Sequence, residues 1–382
     1  MKFLAALKQQ LVGWFLHGRL FEWWLQRKMR RLEARYTAGL VAGSGGVPAP
    51  ESPPPLKSGA PLRQILFISD IMWEGRELVP ELAKIAGLQT LDLRPHLKSA
   101  TGANSSETVA RTIDDFIRSQ SAYEPDAILF YARSSLLSDE AFELLRRRWS
   151  GPLLGMNLDD KIEFLDYDIF TGAGDDYGRW AKKFDLNLSN VRAVVDWYAD
   201  RKLPVLYVPE GFHPKVIAPP ASTADFRYEL SFVGSRRTER EIFFRRLRDL
   251  GVLIEPSGFG WPNSEGGKNP EAVYRASKMN LGIGFAAPSQ TLTTLKTRDF
   301  ECPGAGACYL TTYNWELPLH YELGREILCY RSVEELIEIY SYYRKRPEEC
   351  LTIAKAAWRR GQAEHTWEKR FRKVFNYAGF KV

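Results

Sequence analysis

The stretch LKTRDFECPGAGACYLT, residues 295–311, carries Lys296, Arg298 and Glu301 ahead of a Gly-Ala run and an apolar segment. Two fixed cations suit a diphosphate, and a carboxylate one helical turn later can accept two hydrogen bonds from a ribose diol. Gly304 and Gly306 would let the chain turn close to such a ligand. The competing reading is an ordinary surface ion pair between Arg298 and Glu301, three residues apart on a helix. A second candidate is FVGSRRTER, residues 232–240, which reads as a strand, a glycine turn and a helix start. There Gly234 admits a ligand to the backbone, and Ser235 can cap the helix or bond a phosphate. The helix N-terminus favours an anion, and Arg236, Arg237 and Arg240 add charge. Helix capping alone explains the same residues. Neither G-x-G-x-x-G nor G-x-x-x-x-G-K-[ST] is present, so a dinucleotide fingerprint and a P-loop are both unsupported.

Other chemistries fare worse. The four cysteines, Cys302, Cys308, Cys329 and Cys350, form no C-x-x-C pair, and the five histidines are scattered. Zinc-ligand spacing is therefore absent, and free thiols in a reducing cytoplasm are expected. Asp166–Asp168 is a D-x-D triplet, the pattern of metal-dependent sugar transfer on a different, single-domain fold. No β-branched strand leads into it, and no metal is expected.

The elements that must position these residues alternate between short apolar runs and amphipathic segments. Strands are expected at 64–69, 89–93, 127–131, 152–157, 185–189 and 204–209, then at 230–235, 252–257, 279–285, 307–312 and 326–330. Helices are expected between them, including 77–87 and a segment from Ser105 or Ser106 to Gln120. This alternation implies α/β architecture with parallel sheets covered on both faces. The Pro-rich stretch around 209–220 is the expected hinge between two such halves. Two doubly wound domains would face a cleft at the carboxyl ends of their strands.

The expected domains are an amphipathic helix at 1–36, a linker at 37–61, an N-terminal Rossmann-like domain at 62–215, a C-terminal one at 216–345, and C-terminal helices at 346–382 packing back toward the N-terminal domain. Residues 1–36 hold eight Lys/Arg against two Asp/Glu, which accounts for the whole net charge of +6; the remainder holds 45 of each sign. A general nucleic-acid partner is therefore not expected. The opening segment repeats Leu4, Leu7, Leu11, Trp14 and Phe15 at helical spacing, followed by Arg27, Lys28, Arg30 and Arg31. It fits an interfacial helix on an anionic membrane, a helix docked on a partner protein, or one packed on its own domain. No apolar run is long enough to span a bilayer. Residues 37–61 are rich in Gly, Ala, Pro and Ser and read as a tether.

In order and spacing, LDD (158–160), PEGFHP (209–214), SFVGS (231–235) with Arg240, the Tyr274 to Gly284 run ending SKMNLGIG, LKTRDFECPGAGACYLT, SVEELIEIYSYY (332–343) and HTWEKR (365–370) resemble the CgeB-type (spore maturation/YkvP-like) bacterial glycosyltransferases. That resemblance implies the GT-B fold, a nucleotide-sugar donor and no obligatory cofactor. It implies that Gly234, Ser235 and Arg240 line the donor diphosphate, that Lys296 and Arg298 neutralise it, and that Glu301 binds the ribose. Relatives often carry an earlier glutamate where this chain has Thr293, which leaves the sugar contact and the stereochemistry open. Asp159 and Asp160, after the 152–157 strand, are candidates for the base that deprotonates an acceptor hydroxyl, or for helix caps. Glu74 and Gly75, in the first βα loop, are acceptor-side candidates. His213 reads as hinge structure and His365 as a helix-entry residue. The expected activity is glycosyl transfer to a cell-envelope glycan, lipid-linked sugar or protein, in the cytoplasm or at the inner face of its membrane. The alternative is a non-catalytic two-lobed scaffold.

Overall fold

The computed structural model describes residues 59–382 except 71–73, 98–104, 121, 164–176, 217, 220 and 286–292, together with Trp23, Arg27 and Leu56. The expected N-terminal helix, most of the linker and the Asp166–Asp168 triplet lie outside the described residues. The chain divides into unit 1, residues 1–209 with 367–382, and unit 2, residues 210–366.

Unit 1 is built on six parallel strands: β1 (Gln64–Ser69), β2 (Gly87–Asp92), β3 (Ala127–Tyr131), β4 (Leu153–Asn157), β5 (Leu186–Ser189) and β6 (Val205–Tyr207), in the order β2-β1-β3-β4-β5-β6. Every residue of β3 and β4 is buried, which is why AILFY and LLGMN read as unbroken apolar runs instead of alternating ones. Among the connecting helices, α1 (Glu74–Leu82) stops five residues short of the expected end at Gly87. Gly87 instead pairs with Gln64 as the first residue of β2. Helix α2 (Ser105–Ser119) buries Val109, Ala110, Thr112 and Ile113 on one stripe. Helix α3 (Asp139–Arg148) is capped by Ser138, which accepts from the Ala141 amide at 3.2 Å, and its last turn carries three arginines that complement the helix dipole. Helix α4 (Arg192–Asp200) joins β5 to β6.

Unit 2 has five parallel strands: β7 (Tyr228–Val233), β8 (Ile254–Ser257), β9 (Ser277–Leu281), β10 (Tyr309–Thr312) and β11 (Leu328–Tyr330), in the order β11-β10-β9-β7-β8. Its helices are α5 (Thr238–Asp249), α6 (Pro270–Arg275), α7 (Thr297–Gly304), α8 (Val333–Tyr343) and α9 (Pro347–Glu364). The last helix, α10 (Trp367–Tyr377), belongs to unit 1. Its Trp367, Phe371, Val374 and Phe375 enter the same core as Ile65, Phe67, Leu129 and Met156. The fully buried Glu81 accepts a bond from the Glu368 amide at 3.2 Å and so caps this helix. Among the described residues no helix is long and apolar enough to cross a membrane.

Candidate functional site

In unit 2 the strand order reverses between β7 and β9, since β8 lies to one side of β7 and β9 to the other. Ligands of open α/β sheets bind outside the carboxyl ends of the strands at such a switch point. The chain leaves β7 there as Gly234-Ser235. At Gly234 φ is +156°, and a side chain would begin 2.9 Å from the Phe232 ring and 3.0 Å from Arg298 Nη1. The turn is braced from behind. Trp261 Nε1 donates to Gly234 O at 2.9 Å, the Arg236 amide donates to Phe259 O at 2.8 Å, and the backbone of Gly258 packs onto Gly234 O, leaving no room for a Cβ. Helix α5 follows with Arg237 as its N-cap residue, whose side chain makes no capping bond. Its N-terminus therefore points amides and the positive end of a dipole at the switch point.

The nearby arginines divide. Arg236 is taken by Glu241, at 2.6 and 2.7 Å. Arg240 and Arg298 have no ion-pair partner within 4 Å among the described residues, and both guanidiniums lie against the Phe232 ring, 5.1 and 5.4 Å from its centroid. Arg240 Nη1 donates to Ser235 O at 2.7 Å, which folds it over the turn. Burial, then the charges of Arg298 and Arg237, push the Arg240 pKa down from 12.5 to about 10. For Arg298 burial pulls the same way, but Tyr309, Tyr274, Asp299 and Glu301 outweigh it and raise its pKa. Its Nε is buried and has no hydrogen-bond partner. Two cations held together beside an uncapped helix start form a receptor for an anion with more than one negative charge.

Helix α7 supplies Arg298, and its start is held by two carboxylates. Asp299 accepts from the Lys296 amide at 2.6 Å and from Thr311 Oγ1 at 2.9 Å, and Glu210 accepts from the Thr297 hydroxyl. Burial raises the Asp299 pKa to about 6 against these bonds. Asp299 thus takes the Lys296 amide, and Glu210 holds the Thr297 side chain at the start of α7. Lys296 is the N-cap residue of α7 and half-buried. One turn on, Glu301 accepts from the Tyr274 hydroxyl at 3.0 Å through Oε2. No ion pair joins Glu301 to Arg298 within 4 Å among the described residues.

One expectation changes. Gly304 does not turn the chain toward a ligand: it is buried inside α7, and a Cβ there would sit 2.3 Å from the Phe212 ring, with Gly361 of α9 packed behind. Phe212, in the stretch read as a hinge, is thus a core residue of unit 2. Thr293 accepts from Asn314 Nδ2 through its carbonyl, at 2.8 Å, and its hydroxyl meets Tyr313 O at 3.5 Å. This residue anchors a loop.

In unit 1, Asp159 and Asp160 part company. Asp160 is fully buried, accepts from Tyr198 Oη at 3.1 Å, and has its pKa raised to about 7, chiefly by burial. Burial bears on its expected role as a base, since an acceptor hydroxyl would have to reach a carboxyl with no exposed surface. Asp159 keeps its side chain 32% exposed and pairs with Lys161 at 3.0 Å. Glu74 and Gly75 open α1, and their side chains lie outside the described ones. Sequence reading missed Asp70 and Arg133, joined by a 2.7 Å ion pair beyond the carboxyl ends of β1 and β3. Those strands flank the switch point of unit 1. The only available signal was a charged residue just after each of two strands, and strand order is needed to bring them together. Among the described residues no group of His, Cys, Asp and Glu could hold a metal ion.

Residues 236–376 match the model of a glycosyl transferase-like family. No curated protein matches the chain. Sucrose-phosphate synthase from Thermosynechococcus elongatus has a similar structure, with 13% identity and a TM-score of 0.55 over 82% of this chain and 99% of that one. Anabaena HepE, solved with UDP and glucose, gives 13% and 0.52 over 82% and 98%. A UDP-N-acetylglucosamine 2-epimerase gives 10% and 0.50 over 82% and 95%. The chain has the GT-B fold, and the match to the glycosyl transferase-like family model covers most of its second unit.

Proposed function

We propose that the protein is a glycosyltransferase that moves a sugar from a nucleoside-diphosphate donor to an acceptor hydroxyl, and that it is of the CgeB type. The observation that carries this reading is the convergence of the Gly234 turn, the uncapped start of α5, and Arg240 and Arg298 on one point of unit 2. HepE, of the same fold, was solved with UDP and glucose, which supports a nucleotide-sugar as the ligand of this anion receptor. The bond between the sugar's anomeric carbon and the diphosphate oxygen breaks, and the electron pair leaves with the diphosphate; the acceptor oxygen bonds to that carbon and gives up its proton to a base. Fixed cations and helix-terminal amides stabilise that developing charge most where they are preorganised. Gly234, Ser235, Arg240 and Arg298 are assigned to the diphosphate, with Lys296 beside them, and Glu301 to the ribose.

Asp159 is the proposed base for the acceptor hydroxyl; Glu74, Gly75 and the Asp70–Arg133 pair are assigned to the acceptor side. The proposed acceptors are a cell-envelope glycan, a lipid-linked sugar or a protein. Residues 1–36 are proposed to dock on an anionic membrane surface at the inner face, on the strength of their charge and aromatic content. Flotation with anionic vesicles, compared with and without residues 1–36, tests that docking; equal flotation refutes it.

The activity is tested by incubating the full chain with a panel of UDP-, GDP-, ADP- and dTDP-sugars and measuring released nucleotide. Release that disappears in Arg298→Ala is the expected result. Turnover of the sugar with the nucleotide retained would point to epimerisation, an activity this fold also houses, and would overturn the reading. So would the absence of nucleotide binding by calorimetry.

A further inference from the structure

We propose that Tyr274 is a positioning residue that sets the Glu301 carboxylate for a ribose diol, making the donor site selective for ribonucleotides over their 2′-deoxy counterparts. The inference rests on the reading of unit 2 as a nucleotide-sugar site.

Tyr274 is held from several sides. Helix α6, which carries it, is capped by Asn269, whose side chain accepts from the Ala272 amide at 3.2 Å. Asn280 Nδ2, from β9, donates to Tyr274 O at 3.0 Å, and Ser277 Oγ donates to the neighbouring Val273 O at 2.7 Å. The ring is 1% exposed and lies in the same buried cluster as Val233, Phe300 and Tyr309. The hydroxyl donates to Glu301 Oε2 at 3.0 Å, across from α6 to α7. Burial, and next the charge of Glu301, hold the phenol well above its ordinary pKa, so it stays a neutral donor.

A glutamate on a helix has several rotors, and ordering it at the moment of binding weakens the grip on a ligand. A bond from a rigid phenol removes that freedom in advance. An ionised carboxylate offers about four lone-pair positions, so the bond from Tyr274 does not by itself keep Glu301 from accepting from a ribose. Removing one ribose hydroxyl from the ligand wastes an acceptor that Tyr274 has already aimed. A ring that only filled the core would be served equally well by phenylalanine.

The test is calorimetry on the full chain with UDP, GDP and ADP and the 2′-deoxy form of each, using wild type, Tyr274→Phe, Glu301→Gln and the double variant. Wild type is expected to prefer the ribonucleotide by about tenfold, the scale of one well-placed hydrogen bond. Tyr274→Phe is expected to shrink that preference to about twofold while leaving deoxynucleotide affinity almost unchanged. The double variant is expected to discriminate no worse than Glu301→Gln alone, because the two residues act as one unit. Both ligands are measured on the same sample, so a misfolded fraction cancels in their ratio. An unchanged ratio in Tyr274→Phe, or an equal loss for both ligands, refutes the positioning role and leaves the donor site standing. Absence of binding by wild type removes the donor-site reading and this inference together.

Discussion

Replacing Arg240 with glutamine separates a residue kept for a ligand from one kept for the fold. In the unliganded protein this guanidinium is partly buried beside Arg298, and its pKa falls from 12.5 to about 10. That fall is worth about 3 kcal/mol, and solvent screening of a partly exposed group reduces it to about 1–2 kcal/mol. The sign follows from the direction. A cation whose pKa is lower in the folded state costs stability at every pH below about 10 and recovers it as pH rises toward 12.5. Opposing this cost are the bond to Ser235 O, worth about 1.5 kcal/mol, and the contact with the Phe232 ring, worth about 0.5–1 kcal/mol. The two sides nearly cancel, so Arg240→Gln is expected to stay within about 1 kcal/mol of wild type in urea unfolding at pH 7. Nucleotide binding should behave differently. Loss of a charge-assisted bond of about 1.5–3 kcal/mol weakens the diphosphate contact by roughly 10- to 150-fold. At a UDP concentration of 100 times the wild-type dissociation constant, wild type should gain about 2.7 kcal/mol of stability. The variant should gain about 1.4 kcal/mol or less under the same conditions. The reasoning is refuted if the variant loses more than about 3 kcal/mol without ligand, or if UDP stabilises both proteins equally.

Asp160→Asn should change how stability depends on pH. Because burial holds this carboxyl at about 7 instead of 3.8, wild type loses stability as pH rises between those values and levels off above them. The asparagine retains a partner for Tyr198 without a charge to bury, so the stability difference between the two proteins should grow from pH 4 to pH 7.5, by a few kcal/mol in order of magnitude. Parallel profiles in chemical denaturation at the two pH values would count against it. Gly304→Ala should destabilise unit 2 by about 1–3 kcal/mol, since the new methyl meets the Phe212 ring. Adding Phe212→Leu to that background should return part of the loss, and a change below about 0.5 kcal/mol in the single variant would show that the contact is soft.

Much of the architecture was legible along the chain. The runs AILFY and LLGMN are apolar at every position because both faces of their strands are covered, and such runs need no long-range information to be read as buried parallel strands. The Gly-Ser turn after SFV and the cations of 295–301 were legible for the same reason, since residue type and spacing suffice. Strand limits were not. The strand expected at 279–285 runs from Ser277 to Leu281, because Ser277 pairs with Tyr228 and Met279 with Leu230, and those partners lie some fifty residues away.

The same limit governs the site. Arg236, Arg240 and Arg298 are alike as letters; the fold gives the first to Glu241 and gathers the other two on Phe232. Asp159 and Asp160 are neighbours, and only packing seals one and leaves the other partly in water. Tyr274 and Glu301 meet because α6 and α7 follow β8 and β9, which pair with β7 on either side. Residue type and local period therefore determined which elements form and which charges are available. The tertiary structure decided which charges are paired, buried or left facing a ligand, because desolvation and ion pairing depend on neighbours brought together only when the sheets close.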